Sequence, residues 1–429
     1  MREFELLPKI QDADLKDKVV LVRMDHNVVK KGKIKDAFRI DATFATLFYI
    51  LAKGGKPILM THIGRPKDKK TGKINISYEE DVKPVVEYLK QKLGLQIAIP
   101  QFKRIDDDGY YGIDSSINFM LRDLRQGKID LIYLPNTRFF MGEEAKGEMR
   151  DAFGKQLAAL ADVFVNDAFG SWQPHASTVK PTEFIPSYAG LLMQKEITNL
   201  QKIFEPDKPF LAVVAGSKFD TKIGPLRSIL KKVDHLLLGG VIYNAYLSVK
   251  YNIEIKGIDP ADLDIAREFV ALADETPGKV LEPQYIVESD TLDGRFEGQY
   301  RVHNIKELKE GSSLNYVLDI GAESYQDEKV KNVILKAETI FVNAVMGFTP
   351  HFCEGTEALY SLIDQNEKAH KLYGGGDTLQ ELKNLLPGMY IRCIDDPSYY
   401  FFSGGGTILT AIELGSPWEL ASIKALLKY

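Results

Sequence analysis

The sequence predicts an α/β chain built from two parallel-sheet domains. Three observations carry this. At 429 residues the chain is longer than one hydrophobic core usually serves. Short apolar β-rich runs alternate with helical stretches along its length. Near residue 190 the segment PSYAG (186–190) opens a long helical stretch that EPDKP ends before a new strand starts. Regular strand–helix alternation implies parallel strands with helices on both faces, so each strand reads as a continuous apolar run.

In order, the first-half strands are KVVLVRM (18–24), KPILMTH (56–62), DLIYLPN (130–136) and DVFVNDA (162–168). Between them lie helices such as 81–93, where Val82, Val85, Val86, Leu89 and Leu93 recur at helical spacing and Gly94 supplies the stop. The second half repeats the pattern with FLAVVAG (210–216), HLLLGG (235–240), YVLDIG (316–321) and TIFVN (339–343). Helices are expected at about 221–233, 260–274, 327–337 and 356–369. The expected division is 1–189 for the first domain, 190–204 for a joining hinge helix, 205–415 for the second domain and 416–429 for a C-terminal segment.

Composition narrows the function classes. The chain is 45% hydrophobic and 27% charged, with a net charge of −5 spread through the sequence. That argues against a nucleic-acid binder relying on a basic face. No apolar run approaches the roughly 20 residues that span a bilayer. The N-terminus is charged and lacks the apolar core of a signal peptide. Cys353 and Cys393 are the only cysteines, expected as free thiols in a reducing cytoplasm. Neither a nucleic-acid nor a membrane partner is expected; small-molecule substrates and a monomeric state are expectations that rest on the resemblance described below.

Ligands of open parallel sheets sit beyond the carboxyl ends of the strands, and here those ends carry chemistry. In the second half, 210–216 runs into AGSKFDTK, placing Gly216, Ser217, Lys218 and Lys222 just past a strand. HLLLGG ends in Gly239-Gly240. GGGDT (Gly374, Gly375, Gly376, Asp377, Thr378) and SGGGT (with Gly404, Gly405, Gly406) each precede a helical run. Free N–H groups at a helix start bind anions, and glycine lets the backbone approach closely. Asp377 is placed to hold Mg²⁺ beside phosphate oxygens. One glycine triplet alone is more often a tight turn, and Asp377 alone could be a helix cap. Neither G-x-x-x-x-G-K-[ST] nor G-x-G-x-x-G is present.

In the first half, strand ends carry Arg23, Asp25 and Asn27 (RMDHN), then His62 and Arg65 (THIGRP), then Arg138 (NTRF), with Arg39 in AFRID. Arginines and a histidine in successive post-strand loops suit a phosphate and carboxylate cradle. Asp25 and Asn27 suit substrate hydroxyls. Taken singly, each is more often a surface or structural group, such as a salt-bridge partner or a turn cap; the collective pattern argues for a site.

Together these motifs resemble the phosphoglycerate kinase family nearly end to end. RMDHN is similar to its R-x-D-x-N segment, FRIDA to the region of its catalytic arginine, THIGRP to SHLGRP, and NTRF to ENVRF. VNDAFG, PSYAGLLMQKE, AGSKFDTKI, GGGDT and SGGGT also match in order and spacing. The resemblance implies two Rossmann-like domains joined by a hinge helix, a C-terminal segment returning to the first domain, and Mg-ATP-dependent phosphoryl transfer to the carboxylate of 3-phosphoglycerate. It implies an acceptor site of Arg23, Asp25, Asn27, Arg39, His62, Arg65, Arg138 and Gln173. It implies a nucleotide site of Gly216, Ser217, Lys218, Lys222, Gly239, Gly240, Asn343, Gly347 and Gly374–Thr378, with Asp377 on the metal. Arg39, Lys222 and the amides of Gly404–Gly406 would stabilise the transferring phosphoryl group. The acceptor carboxylate is already ionised at neutral pH, so no general base is needed.

The sequence departs from that family at ligand positions. Gln173 stands where a substrate arginine is expected, Pro350 where a ribose-binding glutamate is, Val241 where an adenine-side glycine is. Ala344 and Val345 replace a glycine and a proline, Pro135 a glutamate, and His26 the usual phenylalanine. Two other readings therefore stand beside the first: a paralogous kinase with another phospho-carboxylate or nucleotide, and a catalytically weak regulatory protein on the same fold.

Overall fold

The structure, a computed structural model, describes residues 2–104, 108–219 and 222–427. It divides into two compact units, with boundaries between Ile197 and Thr198 and between Pro417 and Trp418. The first boundary falls inside the helix Leu191–Phe204.

The first unit is organised by a six-stranded sheet: β1 (Val19–Arg23), β2 (Lys56–Met60), β3 (Ile97–Ala98), β4 (Leu131–Tyr133), β5 (Val163–Asn166) and β6 (Ser187–Ala189), in the order β3-β4-β2-β1-β5-β6. Every pairing is parallel. The period-2 alternation of strands explains why these runs are apolar throughout. Val20 and Val22 enter the core on one face with Leu59, Tyr133 and Val165. Val19 and Leu21 enter the core on the other with Ile58, Ile132 and Phe164. The helix expected at 81–93 spans Lys83–Leu93 and ends on Gly94 at φ 68°, a left-handed cap that favours glycine.

The second unit holds β7 (Phe210–Gly216), β8 (His235–Gly239), β9 (Val280–Leu281), β10 (Tyr285–Ser289), β11 (Tyr300–Asn304), β12 (Tyr316–Ile320), β13 (Thr339–Asn343), β14 (His370–Gly374) and β15 (Tyr399–Phe402). Six of these form a parallel sheet in the order β9-β8-β7-β13-β14-β15. Chain order reverses between β7 and β13, the switch point at which doubly wound sheets bind ligands. Both sheets fit the α/β class read from the sequence.

One assignment is corrected. YVLDIG is not in the parallel sheet: β12 pairs antiparallel with β10 in a separate three-stranded sheet, β11-β10-β12. An apolar run announces a strand but not its partner; the cue was the alternating exposure of Tyr316–Ile320, typical of a sheet with one wet face. Strands β14 and β15 run directly into the glycine triplets, whose turn signal masks the short strands before them. Helices span Ile223–Leu230, Pro260–Asp274, Glu328–Lys336 and Glu354–Asp364, the last ending five residues early; the expected start at 221 lies outside the described residues.

The segment after Pro417 belongs to the first unit, where Ser422 N–H donates to Trp172 O at 3.3 Å.

Candidate active site

In the first unit, the predicted residues gather at the carboxyl ends of β1, β2 and β4. Arg23, last residue of β1, is fully buried. Its Nε donates to Ser177 Oγ at 2.8 Å, one guanidinium nitrogen lies 3.0 Å from His62 Nδ1, and another donates to Met24 O. Ser177 in turn donates to the buried Glu143 at 2.6 Å. Arg23 thus sits beneath the site and backs His62. Burial, then the Arg23 and Arg138 guanidinium groups, keep the His62 imidazole well below the usual histidine range, so it is neutral at pH 7. Ser171 Oγ lies 3.3 Å from the same Nδ1.

Asp25 is 3% exposed, and its Oδ2 pairs with Arg39 at 3.3 Å. Its Oδ1 is buried without a hydrogen-bond partner. A buried carboxylate oxygen left unpaired is costly, and a ligand hydroxyl would satisfy it. Arg39 lies on the short helix Phe38–Asp41 and keeps 28% of its side chain exposed. Asn27 Oδ1 accepts from Gly64 N at 2.9 Å and joins the loops after β1 and β2. Arg138 pairs with Glu144 at 2.9 Å and donates to Gly64 O. Arg65 is exposed. Gln173 is exposed as well, its Oε1 2.9 Å from His175 Nε2.

Sequence reading missed the framework beneath these groups. Asn136 is fully buried and bonds Ile63 through both its backbone groups, at 3.0 and 2.7 Å, and Glu80 O at 2.9 Å; it also caps the turn bearing Arg138 at 3.0 Å. Its place in NTRF was the only available signal.

In the second unit, the predicted residues surround the switch point. Lys222, N-cap of Ile223–Leu230, donates to Ala215 O and, at 2.7 Å, to Asn343 Oδ1. Burial pushes its ammonium down to about 8, partly offset by Asp377. Asn343 Nδ2 donates to Gly374 O at 2.5 Å. Ser217 and Lys218 are exposed just past β7.

Three glycines are explained by close approach. Gly240 has φ 63° and starts the helix Gly240–Tyr251 after Gly239; a Cβ on it would lie 2.9 Å from Gly216 O. A Cβ on Gly405 would lie 2.5 Å from Gly375 Cα, so the two glycine triplets pack against each other. They open the helices Gly376–Leu385 and Gly405–Leu414, setting two helix N-termini side by side. Open space faces Gly376 and Gly406. Asp377 is exposed in the first turn, with Thr378 buried behind it. Gly404 caps the second of these helices. A Cβ on Gly347 would clash with Phe352 O and Asp319, so packing accounts for that glycine.

Among the described residues, no three His, Cys, Asp or Glu side chains are grouped to hold a metal. The donor set is a single exposed carboxylate beside an anion-binding turn. This fits Mg²⁺, which keeps waters and takes one or two carboxylates with substrate phosphates.

Cationic loops at the ends of one parallel sheet, and paired glycine-lined helix starts beside a half-buried lysine on another, suit a phosphotransferase. Comparison with known proteins narrows the class: the family model "Phosphoglycerate kinase" matches residues 10–414, and the chain belongs to the phosphoglycerate kinase family. A phosphoglycerate kinase of Dictyoglomus turgidum is 33% identical over 412 residues, covering 94% of this chain and 95% of that protein. The solved phosphoglycerate kinase of Coxiella burnetii matches with TM-score 0.73 at 28% identity, covering 98% of each chain. That of Pyrococcus horikoshii matches in fold with TM-score 0.77 at 22% identity over the same share. The family's reaction is phosphoryl transfer between ATP and the carboxylate of 3-phosphoglycerate, giving ADP and 1,3-bisphosphoglycerate reversibly.

Proposed function

We propose that the two clusters divide this reaction between them. The observation that carries the reading is Lys222, a half-buried cation at the switch point whose two hydrogen-bond acceptors are neutral. Its charge is left for an anion, and the glycine turns beside it supply N–H donors. Gly216–Lys218, Gly239, Gly240, Asn343, Gly347 and Gly374–Thr378 form the nucleotide site. Asp25, Asn27, Arg39, His62, Arg65, Arg138 and Gln173 form the acceptor site, with Arg23 supporting His62 from below. Asp25 Oδ1 accepts a substrate hydroxyl.

Arg39, Lys222 and the amides of Gly404–Gly406 neutralise charge on the transferring phosphoryl group, which is most of what such a reaction asks of a protein. Asp377 would hold Mg²⁺, which when bound would supply further charge neutralisation on phosphate oxygens. The helix Leu191–Phe204, crossed by the unit boundary, serves as the hinge. The protein acts as a monomer in the cytoplasm; no helix among the described residues is long and apolar enough to cross a membrane.

The test is Mg²⁺-dependent ADP formation with 3-phosphoglycerate, scavenging the acyl phosphate, across several nucleoside triphosphates. Turnover with ATP is expected. Nucleotide binding without turnover would transfer the assignment to another acceptor or to a regulatory protein.

A further inference from the structure

His26 lies between Asp25 and Asn27 but faces away from the acceptor site. It is fully buried with every polar group bonded, its backbone carbonyl accepting from Val28 N–H at 2.8 Å. Its backbone N–H donates to Thr61 Oγ1 at 2.9 Å. Its Nδ1 lies 2.8 Å from the hydroxyl of Tyr133, which is itself fully buried, and its Nε2 lies 3.0 Å from Thr43 Oγ1.

Proton accounting fixes the tautomer. Thr43 Oγ1 is 2.7 Å from Ile40 O, a carbonyl that can only accept, so the single Thr43 hydroxyl proton is spent there. Thr43 must then accept from His26, which places the imidazole proton on Nε2. Nδ1 is left as an acceptor for the Tyr133 O–H. Burial, then the Arg23 guanidinium, push the imidazole down to about 3, so this neutral form persists across the working range.

The link to Thr43 has a consequence for Arg39. Thr43 follows the short helix Phe38–Asp41 and precedes the helix Phe44–Ala52, for which it makes no side-chain cap. Arg39 is four residues before it, one turn back on the same face. Segments 25–26 and 39–43 are therefore gripped at two points: Asp25 on Arg39, and His26 on Thr43. The first grip leaves the Arg39 side chain 28% exposed, where a bound substrate would compete with Asp25 for it. The second is dry.

We propose that His26 is a positioning residue for Arg39: its Nε2–H holds Thr43, and through Thr43 the turn that presents the Arg39 guanidinium. This rests on the reading of Arg39 as a group acting on the transferring phosphoryl.

The experiment exploits the two ring nitrogens. The amide of Gln reaches toward the Nε2 position and keeps a donor for Thr43; the shorter Asn reaches only the Nδ1 position and keeps the Tyr133 side. Kinetics of His26→Gln, His26→Asn and Arg39→Ala are measured with 3-phosphoglycerate and ATP, with circular dichroism and melting curves alongside. His26→Asn is expected to lower kcat about tenfold with the KM for ATP within about twofold, and His26→Gln to lose less than about threefold, as expected when only a transition-state contact is displaced. Equal kcat in the Gln and Asn variants, whether lowered or not, overturns the proposal while a drop in Arg39→Ala keeps the Arg39 reading. An unchanged kcat in Arg39→Ala overturns both. If the Asn variant does not fold, Thr43→Val removes the same link at similar volume: a lowered kcat supports the proposal and a wild-type kcat overturns it. Nitrogen-15 NMR of the imidazoles is a second readout. The Nε2–H tautomer is expected for His26, and an Nδ1–H signal overturns the proton assignment on which the clamp depends.

Discussion

Lys222 donates to Asn343 Oδ1 at 2.7 Å and so ties the loop after β7 to the end of β13, the strands between which chain order reverses. Asn343 passes the connection on to Gly374 O. One amide thereby orients the ammonium with one end and the first glycine turn with the other. Both hydrogen-bond acceptors of the lysine are neutral, which suits the phosphate-binding role proposed for it.

That arrangement predicts a pH effect. A lysine whose pKa is lowered to about 8 carries its charge below that value and loses it above. Nucleotide kcat/KM, which reports ionisations of the free enzyme, is therefore expected to decline as pH rises through about 8. Lys222→Arg should move the decline upward, since guanidinium stays charged. A flat profile in the wild-type enzyme between pH 7 and 9 would contradict the assignment.

Removing the charged groups separates binding from chemistry. Lys222→Ala and Arg39→Ala are each expected to lower kcat by about 10²–10³-fold, typical of a lost oxyanion-type donor. Nucleotide affinity by calorimetry should change far less. Comparable losses in turnover and in binding would remove their transition-state role.

The packed glycine triplets give a stability contrast. A Cβ on Gly405 meets the Gly375 backbone at 2.5 Å, whereas one on Gly406 meets nothing within 4 Å. Gly405→Ala should cost about 1–3 kcal/mol through overpacking, visible as a lower melting temperature. Gly406→Ala should melt at or slightly above wild type, because alanine restricts the unfolded chain. Its methyl nevertheless points into the space assigned to the phosphoryl group, so kcat should fall. Equal stability of the two variants would show that the triplets separate easily.

How much of this was legible beforehand follows from what each signal encodes. Apolar runs and glycine stops are local, so four strands of the first sheet and the helices 191–204 and 260–274 could be read directly, whereas the short strands Ile97–Ala98 and Ser187–Ala189 carry too few residues to announce themselves. Partner choice is not local: YVLDIG looked like TIFVN but pairs antiparallel in another sheet. Residues bearing charge at strand ends announced the sites. The neutral groups that hold them, such as Asn136 and Thr43, carry no pattern until the chain is folded. His26 was visible only as a departure from the family, with no role until its three hydroxyl neighbours were in place.

At the acceptor rim, Gln173 is exposed beside His175, where the family resemblance expects an arginine. Gln173→Arg should tighten 3-phosphoglycerate binding about tenfold, the worth of one charge-assisted hydrogen bond. Calorimetry with 3-phosphoglycerate alone checks this, and an unchanged or weaker affinity would mean that the rim no longer has the family's shape.

The last prediction concerns acid. His26 titrates near 3 in the folded chain and near 6.5 when unfolded. Between those values the unfolded chain binds the extra proton, so stability falls as pH drops below about 6.5 and does so by up to roughly 1.4 kcal/mol per pH unit from this group. Protonation would place a second N–H against Tyr133, whose hydroxyl proton would then lose its acceptor, and would bring a charge beside Arg23. His26→Phe removes the titrating group but strands the Tyr133 hydroxyl in a dry core. That variant is therefore expected to be less stable than wild type at pH 7.5, yet to lose less on acidification to pH 5. Urea unfolding of both proteins at the two pH values measures the difference of slopes. Parallel losses would mean that His26 makes no contribution of its own to acid sensitivity beside groups such as His62.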